Sequence, residues 1–167
     1  MKTVFAGRVF SVEIGRRRFP NGQEHDVEIV RHRPCVVLIP IEADGRIVLV
    51  RQYRAPIDRV TWELPAGSVN DGESAEAAAG RECEEETGRA PRTVERLGAW
   101  FPSPGYCDEE MLFFRARDLR DPAPDSRHRP DEDEDITTRR VTIDEARAMV
   151  QRGEILDLKS AFGLTLI

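Results

Sequence analysis

Residues Gly67 to Gly88 read GSVNDGESAEAAAGRECEEETG. Gly67 to Gly72 form a glycine-bearing loop, and Ser74, a residue type favoured at helix starts, opens a helix. At about 100° per residue, Glu82, Glu85 and Glu86 fall within an arc of roughly 100°. Ala75, Ala78 and Ala79 lie on the same side, one to two turns earlier. A surface helix normally sets its carboxylates opposite its apolar stripe, but here the stripe runs into three of them. A solvated acidic face is the commoner origin of a charge run. Carboxylates this crowded, however, repel, and cannot all stay ionised at neutral pH without a partner. A hard divalent cation, Mg²⁺ or Mn²⁺, is the natural one, because it prefers oxygen ligands. Arg81 precedes Glu85 by four residues and is placed to orient a carboxylate by a charge-assisted bond.

The full spacing is Gly67, five residues, Glu73, seven residues, Arg81-Glu82, then Cys83, Glu84, Glu85-Glu86, Thr87 and Gly88. It resembles the Nudix box at every charged and glycine position. Cys83 is acceptable in an apolar slot, whereas Arg89 departs from the apolar residue expected after Gly88. Arg89 lies beyond the helix, so it bears on local packing and not on the chemistry. The resemblance implies an α/β fold, an α/β/α sandwich with a mixed sheet between the box helix and a C-terminal helix, plus an N-terminal antiparallel hairpin sheet. It also implies that Glu82, Glu86 and Glu85, with the backbone carbonyl of Ala66, hold the metal.

At 167 residues, 40% apolar and 34% charged, the chain has the composition of a single soluble globular domain. A net charge of −6 argues against nucleic acid or an anionic membrane surface as the main partner. Residues 67 to 90 carry seven acids and two bases, so most of that charge belongs to the box itself. Cys35, Cys83 and Cys107 are odd in number and scattered, with neither disulfide framework nor zinc spacing, which points to a reducing cytoplasm. The beginning, MKTVFAGRVF, holds no apolar run of signal-peptide length, and no stretch is long enough to span a membrane.

Residues 1–32 read as β structure: Phe10, Val12 and Ile14 alternate with polar residues, Pro20-Asn21-Gly22 turns, and Val27 and Ile29 alternate again. In the family this region reaches across to a second subunit, so the resemblance implies a homodimer, with residues 33–167 forming the hydrolase domain. Cys35 to Ile41 is a nearly continuous apolar run, expected as a central strand buried on both faces, with Ile47 to Val50 returning antiparallel after Ala43-Asp44-Gly45. The sequence Arg51-Gln52-Tyr53-Arg54 reads in isolation as a solvated strand end with an aromatic gripping the core edge. Beside a metal–diphosphate site, Arg51 and Arg54 become candidates for phosphate contact, since the guanidinium fork suits phosphate.

R-Q-Y-R followed by W-E-L-P-A-G resembles the ADP-ribose pyrophosphatase branch of the family. Within it, Glu63 either contacts substrate, packs against the partner subunit, or is an exposed edge residue. Ser103-Pro104-Gly105, with Pro104 sixteen residues beyond Gly88, resembles the mark of ADP-ribose hydrolysing members and is assigned to substrate. One acid of Asp108-Glu109-Glu110 is expected to support metal or substrate. Residues 118–135 form the one long polar segment. There Glu132-Asp133-Glu134-Asp135-Ile136 resembles the family loop that brings a carboxylate over the diphosphate. Glu132 or Glu134 is the candidate general base, with the other near a metal, and Glu134 is also a candidate metal ligand. Ile136 to Ile143 resume a strand, and Thr142 with Glu145 forms a capping box for a helix ended by Gly153. His25, His32 and His128 receive no role.

The activity implied is metal-dependent hydrolysis of ADP-ribose to AMP and ribose 5-phosphate. The alternatives are hydrolysis of another nucleoside or sugar diphosphate, or binding of ADP-ribose without cleavage as a sensor. The intact Arg81-Glu82 and Glu85-Glu86 argue against the sensor. The chain has no Ser/His/Asp triad and no P-loop lysine motif, so acyl transfer and ATP-driven work are poorly supported.

Overall fold

The computed structural model describes residues 1–126, 128 and 136–167. The chain begins with β1 (Lys2–Ala6), β2 (Phe10–Arg18) and β3 (Glu24–His32), then enters the body through β4 (Cys35–Pro40) and β5 (Ile47–Arg54). A short 3₁₀ turn at Ala55–Ile57 leads to β6 (Arg59–Glu63), β7 (Ala66–Ser68) and the box helix α1 (Ala75–Thr87). Then follow β8 (Thr93–Trp100), β9 (Met111–Arg117), β10 (Thr137–Val141), α2 (Ile143–Gln151) and α3 (Leu158–Gly163).

β4 is the centre. It is buried along its whole length and sits in a mixed sheet of order β7-β4-β9-β8, parallel to β9 and antiparallel to β7. The two-residue period of a strand divides its side chains between two cores. Val36 and Leu38 face Ala78, Ala79 and Cys83 of α1 together with Leu112 and Phe114. Cys35, Val37 and Ile39 face Ile47, Leu49, Leu64, Phe113, Met149 and Leu164. Both faces being dry explains why the sequence there shows no polar alternation.

The expected antiparallel return of Ile47 to Val50 onto β4 is not what forms. Both edges of β4 are already taken by β7 and β9, and only a bridge between Ile41 and Ile47 links it to β5. β5 instead pairs with β6 and β10 in a second, antiparallel sheet, β10-β5-β6. The layer opposite α1 therefore combines this sheet with α2 and α3. Tyr53 does not grip the core edge: its ring is exposed and its hydroxyl donates to Asp58 at 2.8 Å.

The N-terminal β structure is a three-stranded sheet, β1-β2-β3, one strand more than a hairpin. It is stitched to the body at one place. Val30 donates to the Tyr106 carbonyl at 2.7 Å, and Asp108 accepts from the His32 amide at 2.9 Å and from Arg31 at 2.8 Å. Partial burial would raise the Asp108 pKa, but the Arg31 and His32 bonds outweigh it and hold the carboxyl below its usual range. Asp108 is thus spent on joining the sheet to the body.

Helix ends follow their sequence signals. Ser74 caps α1 by accepting from the Ala77 amide at 3.1 Å, and Gly88 closes it at φ 66°, the left-handed conformation that favours glycine. Thr142 caps α2 through the Glu145 amide at 3.1 Å, and Asp157 caps α3 through the Ser160 amide at 3.0 Å. Beyond α1, Arg89 binds the Leu119 carbonyl at 3.1 Å, pairs with Asp121, and lies 3.5 Å from Glu42. Arg140 of β10 reaches the same Glu42 oxygen at 3.3 Å. The departure from the box at Arg89 therefore replaces an apolar contact with a charged cluster. Glu42 Oε1 and Arg89 Nε are buried there with charge contact and without hydrogen-bond geometry.

Candidate active site

Two elements build the site: the β7–α1 loop and the inward face of α1. Glu82 and Glu86 are buried, at 8% and 5% exposure, beside the apolar stripe of Ala78, Ala79 and Cys83. Arg81 is the hub. Its Nη1 donates to Glu82 and to Glu85, each at 2.7 Å, the second being the contact expected from their four-residue spacing. Its Nε and Nη2 form a fork on Glu73 at 2.9 Å, and Nη2 also reaches the Ser68 carbonyl at 3.0 Å. Glu73 in turn accepts from the Asn70 amide at 3.0 Å, which fixes the glycine loop. Hydrogen bonding to Glu73, ahead of the cost of burial, raises the Arg81 pKa, and Arg81 holds Glu73 below the ordinary carboxylate range. One guanidinium thus answers the repulsion among the box acids.

Gly67 is required by approach distance. A Cβ there would fall on the carboxylate of Glu82. Glu86 accepts from the Ala66 amide at 3.2 Å, so Ala66 and Gly67 sit directly over Glu82 and Glu86. Buried carboxylates and a backbone strand closing on them make an oxygen-only donor set, which fits a hard divalent ion. Among the described residues, no three His, Cys, Asp or Glu side chains stand together as a ready metal cage. The reason is visible: Arg81 draws in Glu82 and Glu85, while Glu86 leans on the Ala66 amide.

Arg54 and Glu63 are brought together. Arg54 clasps Glu63 through Nε at 2.8 Å and Nη2 at 2.6 Å, and Lys159 of α3 reaches Glu63 at 2.5 Å. Glu63 is 1% exposed, so the exposed-edge expectation for it is wrong. Burial would raise its pKa, but Arg54 and Lys159 prevail and keep it lowered. Arg51 is exposed on β5, opposite Trp62 of β6. Pro104 and Gly105 line a cavity of about 430 Å³ with Arg17, Arg18, Arg31 and Tyr106 of the adjoining surface. The Ser103 carbonyl accepts from the Cys107 amide at 2.9 Å and shapes that loop. A second cavity, about 520 Å³, contains Glu85 and Glu86 with Pro122, Pro124, His128 and Thr138. Glu132 and Glu134 lie outside the described residues.

Sequence reasoning missed four participants, His128, Ser126, Lys159 and Glu42. His128 Nδ1 stands 3.6 Å from Glu85, and Ser126 donates to Glu84, so the start of the polar segment lies on α1. Lys159 was missed too, although a cation in the first turn of a helix opposes the helix dipole and is a usable signal. Glu42, which joins Arg89 to Arg140, had no local signal. The buried thiols take no part: burial pushes Cys35 well up and Cys83 up to about 12.

The NUDIX domain profile matches residues 31–158, and the chain belongs to the NUDIX family. It is 34% identical over 161 residues to an ADP-ribose pyrophosphatase of Bacillus subtilis, covering 96% of this chain and 86% of that one. It is 35% identical over 161 residues, with the same coverage, to a methanol dehydrogenase activator of Bacillus methanolicus. A crystal structure of an ADP compounds hydrolase superposes with a TM-score of 0.83 at 25% identity, covering 99% of this chain and 88% of that one. Members of the family generally use divalent metal ions. Among the described residues no helix is long and apolar enough to cross a membrane.

Proposed function

We propose that this protein hydrolyses the diphosphate linkage of ADP-ribose, yielding AMP and ribose 5-phosphate. The observation that carries the reading is the set of box glutamates gathered by Arg81 under the Ala66–Gly67 backbone. The relatives' names supply the substrate class. Glu82, Glu85 and Glu86, with the Ala66 carbonyl, would hold Mg²⁺ or Mn²⁺. When bound, such an ion neutralises the diphosphate and acidifies the attacking water. Arg81 holds Glu82 and Glu85 in place through charge-assisted hydrogen bonds. Arg51 and Arg54 supply guanidinium groups for the phosphate oxygens, and Ser103-Pro104-Gly105 contributes to the substrate wall. Water adds to one phosphorus, the bridging P–O bond breaks, and a carboxylate of the acidic segment, Glu132 or Glu134, accepts the water's proton. The chain's part is positioning and charge compensation.

The test is turnover with Mg²⁺ or Mn²⁺ on ADP-ribose, NADH, a diadenosine polyphosphate, a nucleotide sugar and a deoxynucleoside triphosphate. AMP from ADP-ribose well above the others supports the reading. Preference for another diphosphate keeps the reaction and replaces the substrate. Binding of ADP-ribose without any turnover makes the protein a sensor. Glu86→Gln should lower kcat/KM by about 100-fold or more with an unchanged circular dichroism spectrum. Full activity in both Glu85→Gln and Glu86→Gln would remove the metal assignment.

The N-terminal region, 1–32, is proposed as the dimerising part of a homodimer. Phe5, Val9, Phe10, Ile14 and Phe19 expose apolar surface from one small sheet, more than a lone sheet normally leaves to water. Light scattering reads the mass directly. Three free cysteines agree with a cytoplasmic setting.

A further inference from the structure

The bond network around Glu63 extends beyond the box, and it draws the C-terminal helix α3 into the site. Two cations meet on this one buried carboxylate, Arg54 from the end of β5 and Lys159 from the first turn of α3. Lys159 is itself held, at 3.0 Å, by Asp157, the residue that caps α3. Asp157 also receives the Ser160 hydroxyl at 3.0 Å, and the Ser160 oxygen accepts the Leu64 amide at 2.7 Å. The start of α3 therefore grips both Glu63 and the residue after it. Lys159 is 10% exposed and Arg54 43% exposed, so the bracket is dry on the helix side and open on the arginine side.

The fork on Glu63 occupies Nε and Nη2 of Arg54 and leaves Nη1 with no hydrogen bond to the described residues. Arg54 grips the last residue of β6, three residues before Ala66, whose amide donates to Glu86, so the guanidinium lies beside the box. A free arginine at a strand end samples many rotamers, and each that points away from the diphosphate lowers its contribution to binding. Held on edge by Glu63, it has one orientation. Glu63 can hold it only if the carboxylate stays ionised and fixed in a buried position, which a second cation on the same carboxylate, at the oxygen shared with Nη2, favours. Lys159 supplies that cation.

We propose that Lys159 is a positioning residue for substrate: through Glu63 it fixes the Arg54 guanidinium with Nη1 presented to the diphosphate. The proposal rests on the reading of the protein as a diphosphate hydrolase and adds to it a function for α3. It predicts an effect on substrate binding, since the geometry is set before any bond changes.

Steady-state kinetics on ADP-ribose with saturating Mg²⁺, together with thermal melts, test it. Lys159→Met should raise KM about tenfold while kcat stays within about threefold, and Lys159→Arg should recover most of the loss. Arg54→Lys, which cannot make the fork, should raise KM by a similar factor. The double variant Arg54→Lys/Lys159→Met should be no worse than Arg54→Lys alone, because the two residues act through one contact. Should Lys159→Met fail to fold, Lys159→Gln keeps a hydrogen-bond donor to Glu63 and should give the same pattern. An unchanged KM in the folded Lys159 variants, or losses that multiply in the double variant, would overturn the proposal. An unchanged KM in Arg54→Lys would overturn it too, while wild-type turnover and its loss in Glu86→Gln report separately on the hydrolase reading.

Discussion

At Gly67 the absence of a side chain is what lets the Glu82 carboxylate sit against the β7 backbone. Alanine there would displace either the strand or the glutamate. Because catalytic geometry tolerates little, Gly67→Ala should cost about 100-fold in kcat/KM, together with about 1–3 kcal/mol of stability from the overlap. Kinetics paired with a melt check this, and a large loss of fold with little loss of specific activity would contradict it. Glu63 gives a pH signature. Its pKa is lowered in the folded state from an ordinary value of 4.5, so the native state binds that proton less readily than the unfolded chain. Its contribution is present above the ordinary value and is lost as pH falls through it toward the folded value. Urea unfolding between pH 3 and 7 should therefore show wild type losing stability on the acid side of that window. Glu63→Gln should show a flatter curve there and a lower plateau at pH 7, by about 3 kcal/mol, as expected for breaking a largely buried pair.

The helix α1 is where sequence and structure correspond most closely. Its cap, its glycine stop and the burial of Ala78, Ala79, Glu82 and Glu86 on one face follow from spacing, because a helix fixes neighbours three and four residues apart, whereas Ala75 and Glu85 lie at the margin of that face and Cys83 joins it. Ser74→Ala should cost about 1 kcal/mol in urea unfolding, the usual worth of an N-cap, with the m-value unchanged. The partner of β5 was not legible. Its apolar run says that it is buried, but which strand lies beside it depends on β7 and β9 having filled both edges of β4. The same limit hid the bracket on Glu63: Lys159 lies 96 residues further along the chain, and no local pattern ties the two. The edge alternative for Glu63 stood open because alternation in so short a strand does not reveal which of its residues are buried.

Taken whole, the molecule places its chemistry at a seam. The β7–α1 loop, the end of β5 and the start of α3 come from widely separated parts of the chain, and each is anchored to the doubly buried β4 or to its neighbours. Beyond Asp121, Ser126 and His128 still touch α1, and the chain re-enters the sheets at β10. Glu42 meets Arg89, which holds Leu119 and Asp121, and also Arg140 within β10, so departure and return are moored to one carboxylate. A span moored in this way can change in length without moving its ends. Lengthening a stretch of about 16 residues by eight adds only about 0.4 kcal/mol of closure entropy, and the sheets on either side need not adjust. Eight Gly/Ser residues inserted between positions 129 and 135 should move the melting temperature by no more than about 2 °C, while lowering kcat on ADP-ribose, since Glu132 and Glu134 are the candidate bases. The rate of turnover in this architecture can therefore drift through insertions and deletions, at a tempo set apart from that of the sheets that carry it.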